Sequence, residues 1–451
     1  MRYFLPAFLL LCCACSKKDQ PAPNPVPTGP VTQQEINQWI LDSMRTFYLW
    51  NDRLPATADA AAATAPYFSS LLNTADPFSQ IYNPGNWATY PRFMLSNYGM
   101  DFSVIPWTGA PDGAIGVVRF VIPGSNAAKA GFVRGSYFTR INNVAVNSSN
   151  IASLTAKILR DATGIFTPAA VNGSTVTEAA PVTVPLGIAA TEEAIYAQKI
   201  INRNNKKIAY LFYNSFNDAV NNKLIAAFQD FKNQGAAELI LDLRYNTGGS
   251  LAAAAILSAL IAPQVTGETS FVQYTGNSTQ GTRKLSFTGT MNYPETGSII
   301  PFSSLQPARL ALPRVYILTT HATISAAELV INNLKVYTEV IQIGQTTYGK
   351  DKGSITIKDG RGRITWIMQP IAYLLANAGG AGGYDGGITP RYSVDELGSL
   401  PLAEIGDEKD VLIAKAVSLI TGNTRTVPEQ VTSQKVYYSS AARVRDIILP
   451  H

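Results

Sequence analysis

Histidine is nearly absent from this sequence of 451 residues, which contains only His321 and His451. A metal site built from several histidines is therefore excluded, and a histidine base has only two candidates. The sequence also lacks a large excess of either charge, because it has 36 Lys and Arg residues, 31 Asp and Glu residues and no long basic run. Such a balance argues against nucleic acid as the main partner.

Cysteine is confined to the N-terminus, at Cys12, Cys13 and Cys15. About a dozen apolar residues lead to Cys15, which is too short to span a bilayer and typical of a signal peptide. Ala14, Cys15 and the polar residues that follow resemble the lipobox of bacterial lipoproteins, although Cys12 stands where leucine is usual. The resemblance implies lipidation of Cys15, and the alternative is a plain secretory leader.

Lipidation would leave the mature chain without a free thiol, and hence without a disulfide, a cysteine nucleophile or a thiolate metal site. Beyond the leader, no segment is apolar enough to cross a membrane. We therefore expect a protein of the bacterial cell envelope, periplasmic or outer-membrane-associated, which contacts the membrane only through its N-terminal lipid.

The rest of the chain is 46% apolar and 15% charged, which is typical of a folded protein with two or three domains. Apolar residues at three- and four-residue steps predict a helix over about 32–50, and a second one over 65–72. The predicted organisation is a signal peptide at 1–15, a Pro-rich tether at 16–31, a helical N-terminal region at 32–92, a PDZ-like domain at 93–188, an α/β core at 189–422 and a C-terminal tail at 423–451.

The PDZ-like domain is predicted from strands at 99–105, 114–122 and 137–146, a helix near 151–159 and a further strand near 181–186. Residues 123–135, Pro-Gly-Ser-Asn-Ala-Ala-Lys-Ala-Gly-Phe-Val-Arg-Gly, resemble a loop common in bacterial PDZ domains. The resemblance implies binding of a peptide C-terminus through Gly99, Met100 and Phe102. Asp101 stands where the family usually has glycine, and its carboxylate would weaken capture of another carboxylate.

The α/β core is predicted from strands that alternate with helices, which indicates parallel pairing through right-handed crossovers. The strands are at 207–216, 238–244, 315–319 and 340–343, and the helices at 221–232, 251–261 and 326–337. In the tail, Lys435-Val-Tyr-Tyr438 could add an edge strand.

Three segments of the core could carry chemistry. Residues 344–350 have the Gly-x4-Gly-Lys spacing of a phosphate-binding loop, but Asp351 replaces the usual Ser or Thr and a strand-like stretch follows. Ser250 follows a strand and a glycine turn, as the nucleophile of an esterase would, yet such an enzyme needs a histidine base. Alternatively, the Gly248-Gly249 turn could present backbone N–H groups to an oxyanion.

The third segment is Ser325-Ala-Ala-Glu328, between a predicted strand and a helix. Ser-x-x-Glu is typical of a capping box, which is a purely structural role. A helix N-terminus also stabilises an oxyanion, because its N–H groups and positive dipole lie there.

These segments together resemble the C-terminal processing peptidases, also called tail-specific proteases. That family has Ser-Ala-Ser-Glu with the nucleophile first, and a Phe-Gly-Lys-Gly lysine as base twenty-five residues later. Here Tyr348-Gly-Lys350 provides a lysine at the same distance from Ser325. The likeness runs from about residue 99 to residue 420, with PDZ-like sequence before the core.

The resemblance implies that Ser325 is the nucleophile and Lys350 its general base. Such a lysine acts as a free amine, so burial must lower its pKa. The oxyanion would be held by backbone N–H groups of Ala326, Gly248 and Gly249. No cofactor or metal is required.

Three residues near these motifs depart from the family or leave alternatives open. Ser354 occupies the position where a glutamine often orients the lysine, and Lys352 offers a second amine. His321 is predicted to be exposed, but could orient substrate or act as a base. The leading prediction is a lipid-anchored serine endopeptidase for unfolded or C-terminal polypeptide segments. The alternatives are a catalytically silent peptide- or ligand-binding protein on the same fold, and an esterase using Ser250.

Overall fold

The computed structural model describes residues 29–161, 163–187, 192–422 and 433–441. The predicted signal peptide, the predicted lipidation site at Cys15 and most of the Pro-rich tether lie outside these residues. Within the described ranges, none of the helices has both the length and the apolar character needed to span a bilayer.

The N-terminal region begins with the two helices that the sequence predicts. Its elements are α1 (Gln33–Phe47), α2 (Thr64–Ser70) and β1 (Gln80–Tyr82). The Thr32 hydroxyl caps α1 by accepting a hydrogen bond from the N–H of Glu35 at 3.1 Å. The buried face of α1 includes Ile40, Leu41 and Met44, at the helical spacing from which it was predicted.

The middle region, residues 93–187, is rich in strands. Its elements are α3 (Met94–Tyr98), β2 (Met100–Pro106), β3 (Ala114–Val121), α4 (Asn126–Lys129), β4 (Tyr137–Ile141), β5 (Val144–Ala145), α5 (Ile151–Arg160), β6 (Thr163–Asn172), β7 (Thr175–Glu178) and β8 (Val182–Pro185). The predicted strand at 137–146 is divided, because Asn142 and Asn143 have positive φ angles of 50° and 63° and form a turn between β4 and β5.

The C-terminal core, residues 192–422, contains the alternating strands and helices of the predicted α/β fold. Its elements are β9 (Ile195–Arg203), β10 (Lys206–Tyr213), α6 (Asn221–Asn233), β11 (Glu238–Asp242), α7 (Leu251–Ile261), β12 (Ser270–Thr275), β13 (Thr282–Ser286), α8 (Phe287–Met291), β14 (Arg314–Thr319), α9 (Ala326–Leu334), β15 (Glu339–Gly344), β16 (Lys352–Ser354), β17 (Ile357–Lys358), β18 (Ile367–Gln369), β19 (Ile371–Asn377), β20 (Tyr392–Ser393) and α10 (Val411–Thr421). The tail adds β21 (Tyr438–Ser439).

The central sheet of the core has the strand order β20-β15-β14-β11-β10-β9. The pairs β10–β11, β11–β14, β14–β15 and β15–β20 are parallel, which confirms the predicted pairing of the four core strands. The edge strand β9 pairs antiparallel with β10 and was not predicted from the sequence. Because parallel strands end at the same edge of a sheet, the loops after β11, β14 and β15 lie close together.

A second sheet of the core has the order β13-β12-β19-β16. A small third sheet, β1-β18-β17, joins the N-terminal region to the core, with Ile81 of β1 opposite Met368 of β18. The middle region forms the sheet β21-β2-β3-β4-β6-β7, to which β5 and β8 attach at β4 and β6. An edge strand is thus present in the tail, as predicted, but it lies at Tyr438–Ser439 and not over 435–438, and it pairs with β2.

A buried network of charges attaches the middle region to the core. Arg119 of β3 donates to Glu396 at 2.6 Å, and Arg134 donates to Asp410 at 3.2 Å. The network continues in the core, where Arg244 donates to Asp410 at 2.6 Å and to Asp242 at 2.8 Å. Three arginines thus face three carboxylates, and this balance allows the charges to be buried.

Candidate active site

The candidate site lies where the loops after β11, β14 and β15 meet. Hydrogen bonds join the three loops, from Ile324 N–H to the carbonyl of Asn246 at 2.9 Å and from Tyr348 N–H to that of Thr323 at 3.0 Å. The predicted nucleophile Ser325 and the predicted base Lys350 therefore lie on loops that are fixed to each other.

Ser325 is the N-cap residue of α9 and has an unusual backbone conformation. Its φ is 59° and its ψ is −117°, while its exposed fraction is 9%. A positive φ in a residue other than glycine is strained, and such strain is typical of active sites. Ser250, the alternative nucleophile, has an ordinary φ of −62°. The strained strand-to-helix turn expected of a nucleophile thus belongs to Ser325.

Glu328 connects the nucleophile to the base. Ser325 and Glu328 are placed as the predicted capping box, with Glu328 Oε2 accepting from the N–H of Ser325 at 2.9 Å. The same Oε2 accepts from the N–H of Lys350 at 2.8 Å, while Oε1 accepts from Gly349 N–H at 2.7 Å and the Thr347 hydroxyl at 2.5 Å. One carboxylate therefore fixes both segments, a role beyond the helix cap that the motif predicts.

Lys350 is buried, with an exposed fraction of 1%. Burial lowers its pKa from the usual 10.5 to about 7, although the carboxylates of Asp76, Glu328 and Glu295 favour the charged form. A large fraction of this amine is therefore neutral near pH 7, the state that the sequence analysis requires of a general base.

The N-terminal region provides part of the surroundings of Lys350. The Phe78 ring centroid lies 5.2 Å from Lys350 Nζ, and the same ring contacts Tyr348 at 6.2 Å. Asp76 holds this turn by accepting from the Phe78 N–H at 3.0 Å and from the Tyr48 hydroxyl at 2.8 Å. No local sequence pattern links this turn to a lysine about 270 residues further along the chain.

The glycine turn after β11 lies against Ser325. A Cβ atom on Gly248 would be 2.7 Å from Ser325 Cβ, and the φ of Gly248 is +102°. Its N–H donates to Asn246 Oδ1 at 2.8 Å, which does not fit the predicted role of that N–H as an oxyanion donor. Among the described residues, no hydrogen-bond acceptor engages the N–H groups of Gly249 and Ala326, which remain candidates for this role.

Ser250 is a helix cap in a closed environment. Its side chain is fully buried, caps α7 by accepting from Ala252 and Ala253, and donates to Asp218 at 2.6 Å. The esterase alternative, in which Ser250 attacks substrate, does not fit this burial.

The loop at 344–350 does not have the structure of a phosphate-binding loop. It is followed by the strand β16, where a phosphate site needs a helix N-terminus. This confirms the prediction that a strand follows the loop, which was one of the two arguments against nucleotide binding.

The auxiliary residues take different places. His321 is exposed, as predicted, and its ring stacks at 5.3 Å on that of Tyr348. Lys352, the second amine, is paired with Asp351 at 2.6 Å. Ser354 lies in β16 opposite Ile371.

The predicted peptide-binding residues of the middle region are largely engaged within the chain. Gly99 N–H donates to the carbonyls of Met94 and Leu95 at the end of α3, which does not fit its predicted use for a peptide carboxylate. The side chains of Met100 and Phe102 are fully buried in the core of this region. The Phe102 ring nevertheless contacts the C-terminal tail, since its centroid lies 6.0 Å from that of Tyr438.

Replacing Gly248 with alanine is expected to reduce protein hydrolysis by about 100-fold, because the new methyl group would displace Ser325. The reduction should appear in kcat for casein cleavage. Gly380→Ala is the matched control, since Gly380 also has a positive φ, of +84°, with nothing within 4 Å of the new Cβ. Equal losses in both variants would show that backbone strain, and not contact with Ser325, limits activity.

Comparisons with known proteins agree with this geometry. Two family models match, "Peptidase family S41" over residues 207–394 and "Peptidase S41 N-terminal domain" over residues 35–80. Together they cover just over half of the chain.

Two curated relatives are named carboxyl-terminal-processing protease. The one from Picosynechococcus sp. is 22% identical over 381 residues, covering 81% of this chain and 80% of its own. The one from Synechocystis sp. is 24% identical over 393 residues, with the same coverage. A Bacteroides fragilis crystal structure, described as an S41 protease, has a TM-score of 0.67 and 26% identity, covering 89% of this chain and 99% of its own.

The fold and these matches define the class of protein as a serine-type peptidase, similar to the carboxyl-terminal-processing proteases. The resemblance to the C-terminal processing peptidases is thereby confirmed. The chain belongs to peptidase family S41.

Proposed function

We propose that this protein is a lipid-anchored endopeptidase of the bacterial envelope that uses Ser325 as nucleophile and Lys350 as general base. One observation carries the proposal. The Glu328 carboxylate accepts hydrogen bonds from the backbone N–H groups of Ser325, which has a strained, helix-capping conformation, and of Lys350, whose buried amine has a pKa of about 7. A structural lysine would instead be expected to be charged and exposed or ion-paired.

In the first half of the reaction, neutral Lys350 accepts the Ser325 hydroxyl proton while the Ser325 oxygen bonds to the scissile carbonyl carbon. The N–H groups of Ala326 and Gly249 stabilise the oxyanion, assisted by the positive end of α9. As the C–N bond breaks, the Lys350 ammonium returns its proton to the leaving amine.

In the second half, Lys350 accepts a proton from water, and the resulting hydroxide attacks the acyl-enzyme ester. Collapse of this intermediate breaks the ester bond and returns the proton to Ser325. The product is a new carboxyl terminus, and no cofactor takes part in the proposed steps.

The proposed substrates are unfolded or C-terminal segments of polypeptides, in keeping with the names of the two curated relatives. An extended substrate would reach Ser325 near the exposed His321 and the half-buried Tyr348. Lipidation at Cys15 and a place in the envelope remain proposals that rest on the N-terminal sequence.

A fluorophosphonate probe is expected to label Ser325 in the wild-type protein, because this reagent reacts with serines activated by a base and not with serines that serve only as helix caps. Intact-mass spectrometry and peptide mapping would locate the label. Ser325→Ala should prevent both labelling and casein cleavage, whereas Ser250→Ala, with the buried cap removed, should remain labelled.

An unlabelled Ser325 in a folded protein that does not cleave casein would contradict the proposal. That result would favour the alternative of a silent peptide-binding protein on the same fold.

A further inference from the structure

The outer edge of β2 is covered by the chain's own tail. Residues 437–440 run antiparallel to β2, with Ser439 opposite Ser103 and Tyr438 opposite Val104. Tyr437 N–H donates to the carbonyl of Val104 at 2.8 Å, and Ser440 N–H donates to that of Phe102 at 2.9 Å. An exposed strand edge is a site where an extended peptide can add as a further strand, and the tail occupies it in this way.

Side chains of the tail fit this edge. The Tyr438 ring packs on Phe102 with 6.0 Å between ring centroids. Ser440, with an exposed fraction of 5%, accepts from the Phe102 N–H at 2.9 Å and donates to Asp101 Oδ1 at 2.9 Å. One serine hydroxyl therefore bridges a backbone donor and a buried carboxylate.

The tail also contacts the core at both ends of the described segment. Gln434 N–H donates to Asp395 Oδ2 at 2.7 Å, and Ala441 is 2% exposed in an apolar cluster with residues of the central sheet. Ser439 Oγ lies 3.4 Å from the guanidinium of Arg119, which belongs to the network between the middle region and the core. Residues 433–441 thus lie where these two parts of the protein meet.

We propose that the β2 edge is a binding site for an internal, extended polypeptide segment and that residues 433–441 are its resident intramolecular ligand. The preferred segment has an aromatic residue two positions before a serine or threonine, as in Tyr438-Ser-Ser440. An incoming polypeptide can pair with β2 only by displacing the tail. This inference rests on the proposed peptidase function, to which it adds a control of substrate access.

Asp101 determines which part of a polypeptide can bind. Its side chain is 2% exposed, and its Oδ1 accepts a hydrogen bond from the Ser440 hydroxyl. A free C-terminal carboxylate in the same place would bring two negative charges together in a buried setting, which is unfavourable. A hydroxyl donor fits instead, so the site selects an internal segment over a chain end.

The experiment measures binding in the full mature chain carrying Ser325→Ala, so that no cleavage occurs and catalysis does not enter the result. The probe is a fluorescent peptide of the sequence Ser-Gln-Lys-Val-Tyr-Tyr-Ser-Ser-Ala, blocked at both ends, and the readout is fluorescence anisotropy. Adding Ser440→Pro removes the N–H that bonds to Phe102 and frees the edge. Val436→Pro is the matched control, because Val436 is 41% exposed and precedes the paired residues.

Ser440→Pro is expected to tighten peptide binding by about tenfold, because the tail no longer competes for the edge. Val436→Pro should bind as the parent does. A peptide that ends in a free carboxylate at the second serine should bind Ser440→Pro about tenfold more weakly than the blocked peptide does. Hydrogen exchange should increase at residues 100–106 of Ser440→Pro and stay unchanged elsewhere in the middle region.

Equal affinity in the parent and in Ser440→Pro, with faster exchange confined to β2, would overturn the inference. If exchange increases throughout the middle region, the measurement is repeated with Ser440→Ala, which removes only the hydroxyl bridge. Peptide affinity equal to that of the parent would then overturn the inference. Either failure would leave fluorophosphonate labelling of Ser325 unaffected, so the two proposals can fail separately.

Discussion

Replacing Lys350 with methionine is expected to abolish proteolysis and at the same time to make the folded protein more stable. If Lys350 is the general base that we propose, its loss should lower kcat/KM by about 1,000-fold or more. Stability should rise because burial of this amine holds its pKa at about 7 instead of 10.5. At neutral pH that difference destabilises the folded chain by about 4 kcal/mol, which the methionine variant recovers.

The pH dependence follows from the same shift. Between the folded and unfolded pKa values of Lys350, the unfolded chain binds one more proton, so wild-type stability rises with pH from about 7 to about 10. The stability gap between Lys350→Met and wild type should therefore shrink over this range. Wild-type kcat/KM should increase about tenfold per pH unit below pH 7 and then level off.

Casein hydrolysis at several pH values and urea unfolding near pH 7 and pH 10 would check both effects. Lys352→Met is the informative control, because the Lys352 amine is paired with Asp351. This substitution is expected to leave hydrolysis within about tenfold of wild type. If activity survives in Lys350→Met and disappears in Lys352→Met, the base is Lys352, and our assignment of this role to Lys350 is wrong.

Replacing Arg244 with methionine is expected to destabilise the protein by about 3–5 kcal/mol, because it leaves buried carboxylates without their counter-charge. Arg244 is fully buried and contacts both Asp242 and Asp410. Urea unfolding in the Ser325→Ala background, which lacks the proposed nucleophile, would measure the change. Arg391→Met is the control, since its pair with Glu339 is more than half exposed and should contribute less than about 1 kcal/mol.

The direction of the pH effect in Arg244→Met can also be stated. Burial already raises the pKa of Asp242 despite the attraction of Arg244, and loss of Arg244 would raise it further. A carboxyl group whose folded pKa is raised destabilises the fold increasingly as pH rises. The loss of stability should therefore be larger near pH 8 than near pH 5. An equal loss at both values would show that Asp242 stays ionised without its partner.

Much of the core could be predicted from the sequence because buried parallel strands are continuous apolar runs, such as Glu238–Asp242 and Arg314–Thr319. Antiparallel β9 was missed, because half-buried strands at an edge give a weaker signal. The turn within 137–146 was also missed, although two adjacent asparagines are a turn signal.

The candidate site was predicted from the resemblance of its motifs and their spacing to those of the C-terminal processing peptidases. The sequence could not show that Ser325 has a positive φ, or that Asn246 takes the N–H of Gly248. The N-terminal contact through Phe78 and the pair of Arg119 with Glu396 were also invisible. Residues so far apart in the chain leave no periodic pattern that would link them.

The position of Phe78 has a consequence for how this enzyme could be shortened or recombined. The matched peptidase segment, residues 207–394, carries Ser325 and Lys350, but the aromatic ring over the amine comes from outside it. A chain that began after β1 would retain the proposed nucleophile and base but would lose this ring, so we expect its Lys350 amine to be more exposed to water and its pKa to be higher. We therefore expect the low pKa of Lys350 to depend on two distant stretches of the chain, so that residues 207–394 alone would not preserve it.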